Sequence, residues 1–312
     1  MSRAARAYAG LSGTSLLWAG AFIAGKLVTA ELTPLTAAGL RHLAAALLLM
    51  PFAWRTRRAA NLRAALPSLA IMALCGGVLY QWAFMAALQR TSATNAALLV
   101  ALNPAITVLL APLVGEPLTP RRLVGILLAL AGATVVITHG DLAVLAGLAA
   151  TRSGDLLALC AAGLWAIFNL ASRGAVAHLP HSMTNAVVYG VGCLVTLSLA
   201  LPDAPLTQLG HASPSALAGL AFLVVFASVV AGQLFLFGVH TVGVGRTVVF
   251  VYLVPVLTAL LSTALLDEPL LASQILGGAC VLLGVWVTTR APQPAAGGQR
   301  SAVSQSALPA DG

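Results

Sequence analysis

Apolar residues in this chain come in blocks of about twenty, separated by short breaks that hold nearly all of its charge. A hydrocarbon core of about 30 Å takes roughly 20 residues of α-helix to cross. Ten blocks have that length, at about 9–28, 35–54, 66–88, 92–113, 121–138, 155–172, 183–201, 215–238, 245–266 and 271–289. The pattern predicts an all-α membrane protein with ten transmembrane helices, called spans 1 to 10 below. Residues 1–8 precede the first span. Residues 291–312 are rich in Pro, Gly, Gln, Ser and Ala, a composition that predicts a disordered tail.

The blocks are not independent of one another. The segment from Asn103 and the segment from Val254 carry the same landmarks in the same order. With one gap, Pro104 matches Pro255, Glu116-Pro117-Leu118 matches Glu268-Pro269-Leu270, Gly125 matches Gly277, and Gly132 matches Gly284. Upstream, Trp18 is followed eight residues later by Lys26, and Trp165 eight residues later by Arg173; Pro34 and Pro180 open the next blocks. The chain divides into a first repeat (9–138), a linker (139–153) and a second repeat (154–290). Five is an odd number of crossings, so the second repeat must be inverted relative to the first. The loops agree. The first repeat's Arg55–Arg63 loop is basic, whereas its counterpart, Pro202–Ala216, has no Lys or Arg. Inverted repeats with a site at their interface are a transporter architecture. The same repeat argues against reading span 1, with Arg3 and Arg6 ahead of it, as a cleaved signal peptide.

Composition supports a lipid solvent: 60% of residues are hydrophobic, 8% are charged, and the mean hydropathy is +0.97. Net charge is +8, but the cations are spread over short loops, so they read as an orientation signal and not as a nucleic-acid patch. With the N-terminus in the cytoplasm, twelve of the 16 Lys and Arg residues fall inside, three (Lys26, Arg90, Arg152) outside, and Arg41 within span 2. That bias places both termini in the cytoplasm and the protein in an inner (plasma) membrane. The cysteines, Cys75, Cys160, Cys193 and Cys280, lie within apolar blocks and have no metal-ligand spacing, and no phosphate-binding glycine loop occurs. No metal or cofactor is expected. Nor does any block hold the nucleophile, base or acid pair that catalysis in the membrane needs.

The stretch Ala87–Val136, ALQRTSATNAALLVALNPAITVLLAPLVGEPLTPRRLVGILLALAGATVV, resembles the EamA-type repeat of the drug/metabolite transporter superfamily, and Val248–Thr289 is similar to a second copy. The resemblance implies a central cavity lined by spans 1, 3, 4, 6, 8 and 9, with spans 5 and 10 further away. It also implies export of amino acids or similar small metabolites, with multidrug efflux as the alternative; a passive pore or a non-transport membrane component is a remote alternative, against which the inverted repeat argues.

Polar and aromatic residues within the spans are few. Span 1 presents Trp18, Phe22 and Lys26 at intervals of four; span 6 presents Trp165, Asn169 and Arg173 at the same intervals. Span 3 carries Tyr80, Gln81 and Phe84, span 4 Asn103, span 8 Gln233 and span 9 Tyr252. These are the candidate cavity residues. Lys26 and Arg173 are candidate gate charges or snorkelling cations. Pro104 and Pro255 are candidate hinges, since each removes a helix hydrogen bond. Arg41 reads as structural, paired with Glu31 or bonded to backbone carbonyls. Glu116 and Glu268 read as offsets to the dipoles of the helices that follow them. Small-residue faces on spans 5 and 10 (Gly125, Ala129, Gly132, Ala133, Gly277, Gly284) serve either packing within the repeat or a homodimer. No acidic residue lies well inside a span, so the cavity is neutral to positive. It favours zwitterionic, anionic or neutral small-molecule substrates over organic cations.

Overall fold

The structure is a computed structural model, and it describes residues 2–56, 61–141, 152–176, 178–242, 247 and 250–289. Span 1 is Arg3–Thr29 and span 2 Pro34–Thr56. Span 3 runs from Leu62 to Arg90 and span 4 from Ala93 to Val114. Span 5 is Pro120–Thr138, span 6 Ser153–Val176 and span 7 His181–Ala200. Span 8 runs from Pro214 to Val242, span 9 is Leu253–Leu265 and span 10 Ala272–Thr289. Nine of these helical runs are long and apolar enough to cross a membrane, and span 9 is shorter among the described residues. Side-chain caps set several starts: Ser92, Thr119 and Ser213 each accept a backbone N–H from three residues on. A short helix, Pro205–His211, lies in the span 7–8 connection, where the apolar pattern gives no sign of it.

The inverted repeat is written into the packing. Spans 2 and 7 pack together, as do spans 5 and 10; span 3 packs on span 6, and span 1 on span 8. Each pairing is the image of itself or of another when the halves are exchanged. The span 5–10 contact is a backbone-to-backbone crossing. A Cβ on Gly132 would stand 2.5 Å from the Gly277 carbonyl oxygen, and one on Gly277 2.7 Å from the Gly132 carbonyl. The small-residue faces of spans 5 and 10 therefore pack on each other across the two repeats, and not within one repeat, because the close approach of the two backbones leaves no room for side chains there.

Two irregularities repeat as well. Span 3 carries a π-helical stretch at Ala73–Leu79, and span 8 one at Leu223–Val230. Span 4 breaks at Ala101–Leu102, and Pro104 sits at the start of the new segment Asn103–Leu110. Span 9 turns at Tyr252, and Pro255 lies in the first turn after it. The prolines open helical segments; they do not interrupt continuous ones, which is where proline is tolerated.

The two ends of the bundle differ in charge. One end, here the acid end, holds Glu31, Asp141, Asp155, Asp203, Asp267 and Glu268. The opposite basic end holds Arg3, Arg6, Arg55, Arg63, Arg121 and Arg122.

Candidate functional site

An aromatic line crosses the interior. Phe22 of span 1 meets Phe84 of span 3 edge-on at 5.2 Å; Phe84 lies 5.8 Å from Tyr80; Tyr80 lies 4.7 Å from Trp165 of span 6; Trp165 stacks on Phe168 at 4.7 Å. Each such pair contributes about 0.5–1.5 kcal/mol beyond area burial. Trp18 stands on the other side, 5.2 Å from Phe235 of span 8, and donates its indole N–H to the Ala227 carbonyl at 3.3 Å. That carbonyl lies in the π-helical stretch of span 8. A π turn displaces carbonyls from the α register, which makes them available to side chains. Ser228 answers in the same way, donating to Leu223 O at 2.8 Å. Trp18, Tyr80 and Trp165 keep part of their surface accessible, and so do Asn103 and Asn169. Asn169 donates to the Asn103 side-chain oxygen at 3.0 Å, joining span 6 to the break in span 4.

The structure thus brings Trp18, Phe22, Tyr80, Phe84, Asn103, Trp165 and Asn169 into one interior. Tyr252 is half-buried against the same hydrophobic core, and its hydroxyl bonds Thr289 of span 10 at 2.7 Å. Gln233 lies elsewhere, in an exposed position. The Arg173 side chain lies outside the described residues.

Arg41 has different partners from those its neighbourhood in sequence suggests. Glu31 is engaged by the Ser213 N–H at 2.6 Å and by the Ser213 hydroxyl, at the acid end. Arg41 instead reaches two other spans. Its Nε donates to Ser228 Oγ at 3.2 Å. With the Gln81 amide turned so that its oxygen faces the guanidinium, that oxygen accepts from Nε at 3.3 Å and Nη1 at 2.8 Å. Gln81 follows the π stretch of span 3, and Ser228 belongs to that of span 8. Beside Arg41, His42 is buried and stacks on Tyr189 at 4.9 Å.

The acid end is laced across the repeats. Lys26 Nζ donates to the Thr91 carbonyl at 2.9 Å and stands 3.5 Å from Glu268 Oε1. Lys26 is thus bonded to protein in the span 3–4 and 9–10 connections. Glu268 accepts from Ala93 N at 2.9 Å and from the Ser262 hydroxyl. It sits at the N-terminus of span 4, so the dipole it offsets is that of a helix in the other repeat, and not the helix after it. Gln274 Nε2 donates to Asn95 Oδ1 at 2.7 Å; Asn95 Nδ2 donates to Asp155 at 3.1 Å, and Thr91 also bonds Asp155. Thr33 donates through its hydroxyl to Asp203 at 2.8 Å, and its N–H donates to Gln208 at 2.8 Å. Glu31 lies outside the spans, and the Ser213 hydroxyl and N–H hold its carboxyl below the ordinary value of 4.5.

Three participants had no signal in the pattern: Ser228, Asp155 and Gln274. Each is a small or terminal polar residue whose partner comes from a span distant in sequence.

The EamA-like transporter family matches this chain twice, over residues 6–138 and 152–290. An uncharacterized transporter of Archaeoglobus fulgidus is 31% identical over 284 residues, covering 89% of this chain and 96% of its own. The uncharacterized transporter YyaM of Bacillus subtilis is 27% identical over 281 residues, covering 89% and 92%. A protein of known crystal structure, 22% identical, superposes with a TM-score of 0.60 over 93% of this chain and 99% of its own, which shows a shared fold. The chain belongs to the EamA-like transporter family.

Proposed function

We propose that this member of the EamA-like transporter family exports amino acids or similar small metabolites across the inner (plasma) membrane by alternating access. In this reading both termini are cytoplasmic and the acid end faces outward. The observation that carries it is the half-accessible interior of Trp18, Tyr80, Trp165, Asn103 and Asn169, lying below the bonded acid end. An exporter that opens to one side at a time needs a site near the repeat interface and a closure that can be broken beyond it. The lattice of Lys26, Glu268, Asn95, Asp155 and Gln274 is such a closure, built from bonds between spans of different repeats. Pro104 and Pro255 act as hinges beside the helix breaks of spans 4 and 9.

Multidrug efflux is the second reading, and the interior charge disfavours it. An organic cation entering here would meet Arg41 and no mid-span carboxylate among the described residues. The test is counterflow in proteoliposomes of the purified chain, with labelled amino acids against a quaternary ammonium compound. Trp165→Ala and Asn169→Ala should lower amino-acid flux several-fold with membrane abundance nearly unchanged. Robust transport of the quaternary ammonium with none of amino acids would reverse the order of the two readings.

A further inference from the structure

Arg41 is a cation in the middle of a membrane helix, about 10 Å along span 2 from Pro34. Charges at that depth are costly and are kept where they pair or work. Its partners are all neutral: the Ser228 hydroxyl and the Gln81 amide oxygen, with no carboxylate within ion-pair distance among the described residues. Those bonds use Nε and one edge of Nη1. The remaining donors, on Nη1 and Nη2, have no partner among the described residues, and Arg41 keeps part of its surface accessible. Two parallel N–H groups on a guanidinium match a carboxylate bidentately.

The fold itself does not ask for a guanidinium there. Aligning Pro34 with Pro180 sets Val187 of span 7 at the position equivalent to Arg41, so the second repeat carries an aliphatic residue there. The surroundings say what accompanies the charge. Gln81 adjoins Tyr80 in the aromatic line, Ser228 adjoins Ala227, which binds Trp18, and Tyr80 and Tyr189 lie within electrostatic reach of the guanidinium. A solute with a carboxylate on Arg41 would have apolar and aromatic surface around the rest of it.

We infer that Arg41 is the carboxylate-binding residue of the substrate site, and that the substrate is a small carboxylate-bearing solute with an apolar body. Gln81 and Ser228 are positioning residues that fix the guanidinium plane. The inference rests on the transporter reading for its purpose, but its chemistry can be read by binding alone.

The experiment uses the purified full chain and a matched pair of probes, 3-phenylpropionate and its neutral amide, 3-phenylpropionamide. Binding is read by saturable quenching of tryptophan fluorescence, and flux by counterflow in proteoliposomes. In the wild type the acid should bind roughly tenfold or more tighter than the amide. Arg41→Gln should erase that preference, and Arg41→Lys should keep part of it. Gln81→Glu is the second variant. It offers Arg41 a partner within the chain, should remain folded, and should lose the acid's advantage because the guanidinium is occupied. Equal binding of acid and amide by wild type overturns the inference, as does binding of neither. So does a preserved preference in folded Arg41→Gln or Gln81→Glu. Acid-selective binding without flux of either probe would leave Arg41 assigned and count against the transporter reading. Equal flux of both probes would do the reverse.

Discussion

Lys26 in span 1 and Glu268 ahead of span 10 stand 3.5 Å apart at the acid end, and Glu268 also takes the Ala93 N–H that opens span 4. The pair is only partly buried, at 27% and 17% side-chain exposure, so its Coulomb energy is modest. The two partners are not equivalent. Lys26→Met removes the ion pair and one bond to a backbone carbonyl, whereas Glu268→Ala removes the ion pair, leaves the Ala93 N–H at the start of span 4 without its acceptor and strands the Ser262 hydroxyl. Glu268→Ala is expected to cost about 1–3 kcal/mol and Lys26→Met about 1 kcal/mol or less. Thermal unfolding in detergent gives the ranking. Equal losses, or a larger loss for Lys26→Met, would show that the Glu268 bond to Ala93 N–H does not stabilise the start of span 4.

The span 5–10 crossing predicts a sharp positional dependence on size. A Cβ on Gly132 meets the Gly277 carbonyl and the Val281 N–H at 2.5 and 2.6 Å, both backbone atoms that cannot swing aside. Around Gly163 in span 6, nothing lies within 4 Å. Gly132→Ala should therefore lose more than about 2 kcal/mol or fail to accumulate, while Gly163→Ala should be neutral or gain up to about 1 kcal/mol from helix propensity. Fluorescence-detected size-exclusion chromatography after heating reads both. A tolerated Gly132→Val would refute the close crossing.

The span pattern and the repeat were legible because lipid leaves apolar length as the dominant signal, and matched landmarks such as Pro104 and Pro255 survive in both halves. The π-helical stretches were not. Within a run such as Ala73–Leu79, which holds no charged or amide side chain, an extra residue in a turn changes no polar spacing. Among the described residues Arg41 takes neither of its expected partners, Glu31 or a backbone carbonyl, because proximity in sequence is a poor guide when a helix points its side chain at spans 3 and 8. The role of Glu268 was missed for the same reason: the helix whose opening N–H it accepts begins 175 residues away. The glycine faces were visible, and only the structure decided that they meet each other.

Acidification should loosen one latch first. Glu31 accepts from the Ser213 hydroxyl and N–H, which favour its charged form and lower its pKa from 4.5. A depressed carboxylate contributes stability that is present above the ordinary value and lost as pH falls through the folded one. Protection of the Ser213 amide against hydrogen exchange, corrected for intrinsic rates, should persist as pH falls through the ordinary carboxylate value of 4.5 and be lost only below it. In Ser213→Ala the loss should begin nearer 4.5. A midpoint that does not move on this substitution would remove Ser213 as the cause.

Orientation follows from the cations. Reporter fusions after Arg63 and Arg300 should both report cytoplasm, and a fusion near Gly210, in a connection with no Lys or Arg, should report the outside. A cytoplasmic signal at Gly210 would contradict the inversion of the second repeat.

Energy coupling is the last consequence of how charge is distributed. Proton antiport ordinarily uses a group within the membrane that exchanges a proton as the site changes sides. Between the ends of the bundle the described spans offer Arg41, bonded to Ser228 and Gln81, and His42, which is buried against Tyr189. The most buried carboxylate, Asp155 at 2% exposure, lies at the start of span 6 and is spent on Thr91 and Asn95 in the closure. With no carboxylate beside Arg41, a proton has no obvious place to compete with substrate. Flux in proteoliposomes should therefore follow the substrate gradient, and an imposed gradient of one pH unit should alter it by about twofold or less. His42→Ala should leave that ratio unchanged. Asp155→Asn should act through the stability of the acid end, slowing or speeding flux equally with and without the gradient. Uphill accumulation driven by the pH gradient, abolished in Asp155→Asn and kept in His42→Ala, would make Asp155 a coupling residue and the acid end more than a latch.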